Sequence, residues 1–284
     1  MDTELRGLVI GYGRAGRRHG AALDKLGVGW SVFDPFIKQE VGAYFNGATT
    51  LELAFVNEYD FAVICTPPSL HLQQIKTCLD AGIPVLCEKP LCGFREQDAL
   101  QSLLSRFDGG KAMLAYNYHF SPSLASLKRS GEQWQDKKGN WAVFSDQHRP
   151  SMPEWGMLLD HLSHSVDILL WLSEATDVKV SRATHHKNDV AESWFVAGEL
   201  DGQPFNIWDA VRSAPMNKVT WVSGPFGNVD ISGYSQGLQP DMTEVMWKVF
   251  LSHLKEGQPF PITLRDGARA QEVLEKIQGV SNEG

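Results

Sequence analysis

The chain has 284 residues, of which 43% are apolar and 21% charged, and its formal net charge is −8. That length suits two domains, and the composition supports a sizeable core without disulfides or a structural metal. An acidic balance with no basic run argues against a nucleic-acid partner or an anionic membrane surface. The apolar runs are also far shorter than a membrane span needs.

The first residues, Met1-Asp2-Thr3-Glu4-Leu5-Arg6, lead straight into a strand pattern and show no secretory signal. The four cysteines, Cys65, Cys78, Cys87 and Cys92, lie in the first third of the chain. Reduced thiols in a cytoplasmic protein are the simplest expectation. Cys87 and Cys92 without a second cysteine pair make a poor zinc signature, so no metal site is expected.

In chain order, residues 6–10 (RGLVI) read as a short apolar strand. A glycine-rich turn follows from Gly11 to Gly16, then helical spacing from Arg17 to Leu26. Strands are expected at 29–34 and 60–65. The second is continuously apolar, as a strand covered on both faces must be. His71 to Ala81 reads as a helix with Leu72, Ile75 and Leu79 apolar, closed by Gly82. Val85-Leu86-Cys87 reads as a strand, 96–107 as a helix and 111–116 as a strand. Strands and helices alternating at this length imply α/β structure with a parallel, doubly wound sheet. A Rossmann dinucleotide-binding domain is therefore predicted over residues 1–120.

The pattern changes near residue 120. One long helix is predicted at 155–172. Strand-like runs lie near 140–147, 177–184, 192–200, 204–211, 217–223 and 227–233, and helices at 241–256 and 267–278 close the chain. Short turn-linked strands indicate a largely antiparallel sheet in a substrate-binding α+β domain over residues 121–284.

Gly11-Tyr12-Gly13-Arg14-Ala15-Gly16 fits G-x-G-x-x-G between a strand and a helix. The first glycine permits the tight turn, the second lets the backbone approach a pyrophosphate, and the third lets helix and strand pack closely. The helix N-terminus offers free N–H groups and a positive dipole end to phosphates. The next strand ends at Asp34, where a carboxylate can accept from the ribose hydroxyls. That carboxylate repels a 2′-phosphate, so NAD is the expected cofactor. Arg14, Arg17, Arg18 and Lys38 lie nearby in sequence and leave NADP open.

Further motifs are more specific. Cys65-Thr66-Pro67-Pro68-Ser69-Leu70-His71 is followed by Glu88-Lys89-Pro90, then Tyr116-Asn117-Tyr118-His119-Phe120, then Asp160-His161-Leu162-Ser163-His164-Ser165-Val166-Asp167. Thr263-Leu264-Arg265-Asp266-Gly267 opens the last helix. Together they resemble the glucose–fructose oxidoreductase / inositol dehydrogenase (Gfo/Idh/MocA) family. The resemblance implies a Rossmann domain joined to an open antiparallel sheet that helps form the substrate cleft. It implies Lys89, Asp160 and His164 as the catalytic set. It adds Thr66, Pro67, His71, Glu88 and Asn117 to Gly11, Gly13, Arg14, Ala15, Gly16 and Asp34 as cofactor-binding residues. A homo-oligomer through the C-terminal sheet is also implied. The sequence departs from the family at His119, where arginine is common, and in its shorter length. Members often have a cis Lys–Pro bond.

Oxidising an alcohol needs a base for the hydroxyl proton and a donor for the reacting oxygen. His164, with an ordinary pKa of about 6.5, suits the first role, and Lys89 the second. Asp160 and His164 are four apart and share a helix face. On so apolar a helix they could equally be a solvated pair, with His161 and Asp167 extending the stripe. His71 reads either as a residue near the cofactor or as a surface histidine. His185 and His186 read as solvated. His148 and Arg149 are candidates for the cleft, and Trp155 for stacking on a sugar ring. The expected function is hydride transfer between a nicotinamide and a secondary alcohol of a polyol, sugar, cyclitol or nucleotide-sugar. The alternatives are a non-catalytic dinucleotide-binding sensor or scaffold, and a reductase of an unrelated small molecule.

Overall fold

The computed structural model describes residues 5–36, 51, 59–107, 110–132, 138–148, 156–212, 219–231 and 241–283. In chain order its elements are β1 (Arg6–Ile10), α1 (Arg14–Lys25), β2 (Gly29–Phe33), β3 (Phe61–Ile64), α2 (His71–Asp80), β4 (Val85–Cys87), α3 (Gln97–Arg106), β5 (Ala112–Leu114), α4 (Pro122–Glu132) and β6 (Trp141–His148). A π-helical turn (Leu158–Leu162) then leads into α5 (Ser163–Ser173). There follow β7 (Val178–Lys187), β8 (Ala191–Leu200), β9 (Gln203–Arg212), β10 (Val219–Gly224), β11 (Gly227–Asp230), α6 (Met242–Glu256), α7 (Leu264–Val280) and β12 (Ser281–Glu283). Contacts divide the chain into two units, Met1–Ala115 with Thr243–Ala268, and Tyr116–Met242 with Arg269–Gly284.

In the first unit the strand order is β2-β1-β3-β4-β5 and every pairing is parallel. Leu8, Val9, Phe61, Ala62, Val63, Ile64, Val85 and Leu86 are all fully buried, so the continuous apolar runs are covered on both faces. The order reverses between β1 and β3, which opens a crevice at the carboxyl ends of those strands. Helix α6 belongs to this unit although it lies late in sequence. Its Trp247 and Phe250 are fully buried and meet Phe61 of β3 at centroid distances of 5.5 and 5.6 Å. Such aromatic contacts contribute about 0.5–1.5 kcal/mol each beyond area burial.

In the second unit the strand order is β11-β10-β6-β9-β8-β7-β12. The β10–β11, β6–β10, β7–β8 and β8–β9 pairs are antiparallel, and β6–β9 and β7–β12 are parallel. The sheet is thus mixed and mainly antiparallel. One face is covered: Val143, Val196, Ile207, Asp209 and Val222 are buried. Phe144, 41% exposed, and Trp221, 53% exposed, mark the other. β12 was not legible in the sequence, because three residues give no periodicity. α4 did carry a signal. Ser121 Oγ accepts from Leu124 N at 3.2 Å and Pro122 opens the helix, a serine cap followed by proline at the first helical position.

The helix predicted at 155–172 is described from residue 156 and differs in kind. Residues 156–157 are α-helical, the π-turn interrupts the helix over Leu158–Leu162, and α-structure resumes at Ser163.

Candidate functional site

In the first unit the glycine turn packs as its spacing requires. Gly11 has φ +84°, and a side chain there would meet Thr66 Cγ2 at 2.8 Å. A Cβ at Gly16 would sit 2.2 Å from the Gly11 carbonyl oxygen, so only glycine lets α1 start this close to β1. Gly13 is different: a Cβ there would meet nothing within 4 Å among the described residues. Gly13 is also the N-cap of α1, and no side chain caps that end. The N-terminus of α1 thus borders open pocket space at Gly13 and Arg14, with room for a pyrophosphate.

Tyr12, Gly13, Arg14, Arg17, Asp34 and Phe36 line a pocket of about 530 Å³ beside this turn. Asp34 Oδ2 accepts from Tyr12 N at 2.8 Å and Oδ1 accepts from Phe36 N at 2.9 Å. The carboxylate is held in place, and each oxygen keeps acceptor capacity for a ribose hydroxyl. Phe36, 92% exposed, forms an apolar wall of this pocket. Arg17 lies over the Tyr12 ring at 5.0 Å. Ala15 is half-buried in the first turn of α1. These residues fit a dinucleotide in chemistry and in space. Lys38 lies outside the described residues.

The T-P-P and E-K-P segments meet behind this turn. Thr66 Oγ1 donates to Gln74 Oε1 at 2.6 Å, and Pro67 is exposed. The Lys89-Pro90 peptide bond is cis. His71 is neither a surface residue nor a member of the pocket lining. It is 1% exposed, with Nδ1 2.8 Å from the Pro90 carbonyl and Nε2 2.9 Å from the Thr66 carbonyl. It ties the two segments together. Burial lowers its pKa despite those two carbonyls.

Glu88 is likewise built into the fold, 7% exposed. Its Oε1 accepts from Arg18 Nη2 at 2.6 Å and from His19 Nε2 at 3.0 Å, and Oε2 lies 3.3 Å from Lys89 N. Trp247 Nε1 donates to His19 Nδ1 at 2.9 Å. The indole only donates, so His19 Nδ1 accepts and Nε2 carries the proton toward Glu88. Burial alone would raise the Glu88 pKa. The His19 hydrogen bond and the Arg18 and Lys89 charges outweigh it and hold the carboxyl far below the usual range. Lys89 itself is half-buried. Sequence reasoning missed His19 and Trp247. His19 sits one turn after Gly16 and its buried helix position was the available signal; Trp247 is 228 residues away and had none.

All four cysteines are free thiols. Cys78 and Cys87 are buried, and burial pushes their thiols well up, so they stay protonated core groups. Among the described residues no cluster of three His, Cys, Asp or Glu could hold a metal ion, and no helix is long and apolar enough to cross a membrane.

In the second unit the D-x-x-x-H segment is not a solvated stripe. Asp160, His161 and Asp167 are 7%, 2% and 4% exposed. His164 is half-buried between aromatic edges, its ring 5.0 Å from Tyr118 at 86° and 6.3 Å from Tyr116 at 78°. Asn117 opens the short 3₁₀ turn Asn117–Phe120 that delivers Tyr118 to His164. His119 Nε2 lies 2.9 Å from Asp167 Oδ2, and its ring stacks on Trp171 at 4.2 Å. His161 Nδ1 and Ser165 Oγ share the carboxylate of Asp209. His185 is half-buried against Trp194 and Glu192, contrary to a solvated reading, while His186 is exposed. Arg149 and Trp155 lie outside the described residues, as does the side chain of His148.

The first unit's strand order, glycine turn and pocket define a dinucleotide-binding α/β protein. Residues 5–118 match the oxidoreductase family with an NAD-binding Rossmann fold. An inositol 2-dehydrogenase from Mycolicibacterium smegmatis is 30% identical over 203 residues, which cover 64% of this chain and 57% of that one. A myo-inositol dehydrogenase structure from Corynebacterium glutamicum superimposes with a TM-score of 0.76 at 20% identity, covering 98% of this chain and 97% of that one. A scyllo-inositol dehydrogenase from Lactobacillus casei, solved with NAD(H) and scyllo-inositol, gives 0.73 at 16% identity, covering 98% and 97%. The chain spans about half the length of the curated relatives it matches, 42% and 57% for two of them. Residues 5–118 thus match the NAD-binding Rossmann domain of that oxidoreductase family, and the fold is similar to those of the solved dehydrogenases.

Proposed function

We propose that this protein is an NAD-dependent oxidoreductase that moves a hydride between the cofactor and a secondary alcohol or ketone of a cyclitol, sugar or nucleotide-sugar. The observation that carries this reading is the pocket beside the uncapped N-terminus of α1, with the oriented carboxylate of Asp34 in its wall. The named relatives act on inositols, and one is solved with NAD(H) bound.

In this reading Gly11, Gly13, Arg14, Ala15 and Gly16 hold the pyrophosphate, and Asp34 holds the ribose. The fixed negative charge of Asp34 disfavours a 2′-phosphate, which gives NAD the preference over NADP. Thr66 and Pro67 form the neighbouring wall, with His71 and Glu88 behind it as struts. Asn117 lies on the turn that leads to Tyr118. A bound nicotinamide supplies hydride acceptance. The protein supplies the proton path: as the carbinol C–H bond breaks, His164 takes the hydroxyl proton and Lys89 donates to the oxygen that becomes the carbonyl. Asp160, one turn before His164, favours the charged ring that results. This assigns the protein as a cytoplasmic enzyme with a small-molecule substrate.

The exposed sheet face supports a homo-oligomer. Strand register places Trp221, Phe144, Trp208 and Phe195 in one row across β10, β6, β9 and β8. Phe144 and Trp208 stack at 4.5 Å and 7°. Apolar rows of this size on a soluble protein mark contact surfaces, and a second copy offers the same row in return.

The test is a screen of cyclitols, sugars and sugar nucleotides with NAD at pH 7 and pH 9, followed by NADH absorbance. Turnover of at least one polyol is expected. NAD binding without turnover of any compound would instead support a sensor or scaffold.

A further inference from the structure

We propose that His161, Ser165 and Asp209 form a positioning clamp that fixes the rotation of the helix bearing Asp160 and His164. The inference rests on the dehydrogenase reading above, because it assigns a purpose to that helix's orientation.

Asp209 lies on β9, the central strand of the seven-stranded order, and is fully buried. Its Oδ1 is 3.0 Å from His161 Nδ1, and its Oδ2 accepts from Ser165 Oγ at 2.9 Å. A carboxylate only accepts, so the ring nitrogen and the hydroxyl are both donors. A buried carboxylate that loses such donors is strongly disfavoured. Any helix rotation that breaks either bond is therefore opposed.

The two donors straddle a junction. His161 belongs to the π-turn Leu158–Leu162, and Ser165 lies in the first turn of α5. A π-turn inserts one residue relative to α-helical register. Relaxing it would rotate the preceding residues by roughly one residue step, about 100°. The clamp bonds both sides of the junction to one side chain on a rigid strand, and so holds the π-register. Its members directly follow the proposed catalytic pair: His161 follows Asp160, and Ser165 follows His164. Pinning 161 and 165 on β9 thereby sets the direction of 160 and 164, one step around the helix. His164 then sits edge-on between Tyr118 and Tyr116. Neither His161 nor Asp209 needs to touch a substrate for this role, and both are buried.

The test compares wild type with His161→Leu and His161→Asn, whose amide nitrogen stands where the ring Nδ1 does. The readouts are the ring NMR signals of His164 at one fixed pH, NAD affinity, and turnover of whichever polyol the screen identifies. His161→Leu is expected to displace the His164 ring signals and lower kcat by about tenfold or more, since small misplacements of a reacting group cost that much. NAD affinity is expected to stay within about twofold, and His161→Asn to return both signals and kcat toward wild type. Should His161→Leu fail to fold, Ser165→Ala removes the other donor and is read in the same way. His164 signals that superpose on wild type in the folded variant, whatever its thermal stability, would overturn the clamp. If the wild type turns over no compound, the dehydrogenase reading fails, while the ring signals still decide the clamp.

Discussion

At the scale of single residues, two side chains with the same charge illustrate opposite uses of a carboxylate. Asp34 is half-buried, its oxygens oriented by two backbone N–H groups and still able to accept from a ligand. Glu88 is buried, and its oxygens are occupied by Arg18, His19 and the Lys89 backbone. The sequence marked both as cofactor residues because each lies in a motif, and motif membership does not distinguish a ligand group from a strut. For Asp34 the expected outcome is direct. Wild type should bind NADH more tightly than NADPH in a fluorescence titration. Asp34→Ala should narrow the gap by about tenfold, the worth of one charged hydrogen bond at roughly 1.4 kcal/mol. Equal affinities in wild type would remove the basis of the preference.

At the scale of elements, the first unit is held by titratable struts, and their signs agree. The Glu88 carboxyl is held below its ordinary value, so the unfolded chain binds that proton first. Its contribution is complete above about pH 4.3, the ordinary glutamate value, and declines as pH falls below it. The His71 pKa is lowered by burial, so the unfolded chain also binds this proton first, starting near pH 6.5. Thermal midpoints should therefore fall as pH drops below about 6.5, and again more steeply in the carboxylate range. His71→Gln keeps a donor for one of the two carbonyls and loses the titration. It should stay close to wild type at pH 7, where the neutral ring also has a single N–H to donate, and show a flatter decline between pH 6.5 and 5. A variant with the wild-type slope in that window would show that His71 does not titrate with folding. The sequence anticipated α2 but not this task for its first residue, because the partners, the Thr66 and Pro90 carbonyls, are set by chain path and not by residue type. The π-turn was hidden for a similar reason. Its five residues, Leu158 to Leu162, carry the same apolar spacing an α-helix would, and only Asp209, from a strand 48 residues onward, distinguishes the two.

At the scale of the whole molecule, the sequence was most legible where period and punctuation coincided. The five parallel strands and the glycine turn followed from apolar runs bounded by Gly, Pro and Asp. The antiparallel strands followed from their turn-linked spacing. Long-range placement was less legible: α6 packs with the first unit through Trp247 and Phe250, which no local pattern announces. The aromatic row on the sheet yields its own prediction. Trp221→Glu places a charge in that row, and sedimentation should show a smaller assembly than wild type. A monomeric wild type would contradict the proposed interface. The central claim is that the protein oxidises an alcohol with Lys89 at the reacting oxygen. The most direct measurement is turnover of NAD by Lys89→Ala beside wild type, on the polyol the wild type uses best, with NADH binding titrated in parallel. The account predicts a loss of about 10²–10³ in kcat, the worth of one donor at a developing charge, with binding preserved. A variant that turns over within about threefold of wild type, a difference of only roughly 0.7 kcal/mol in barrier, would contradict it.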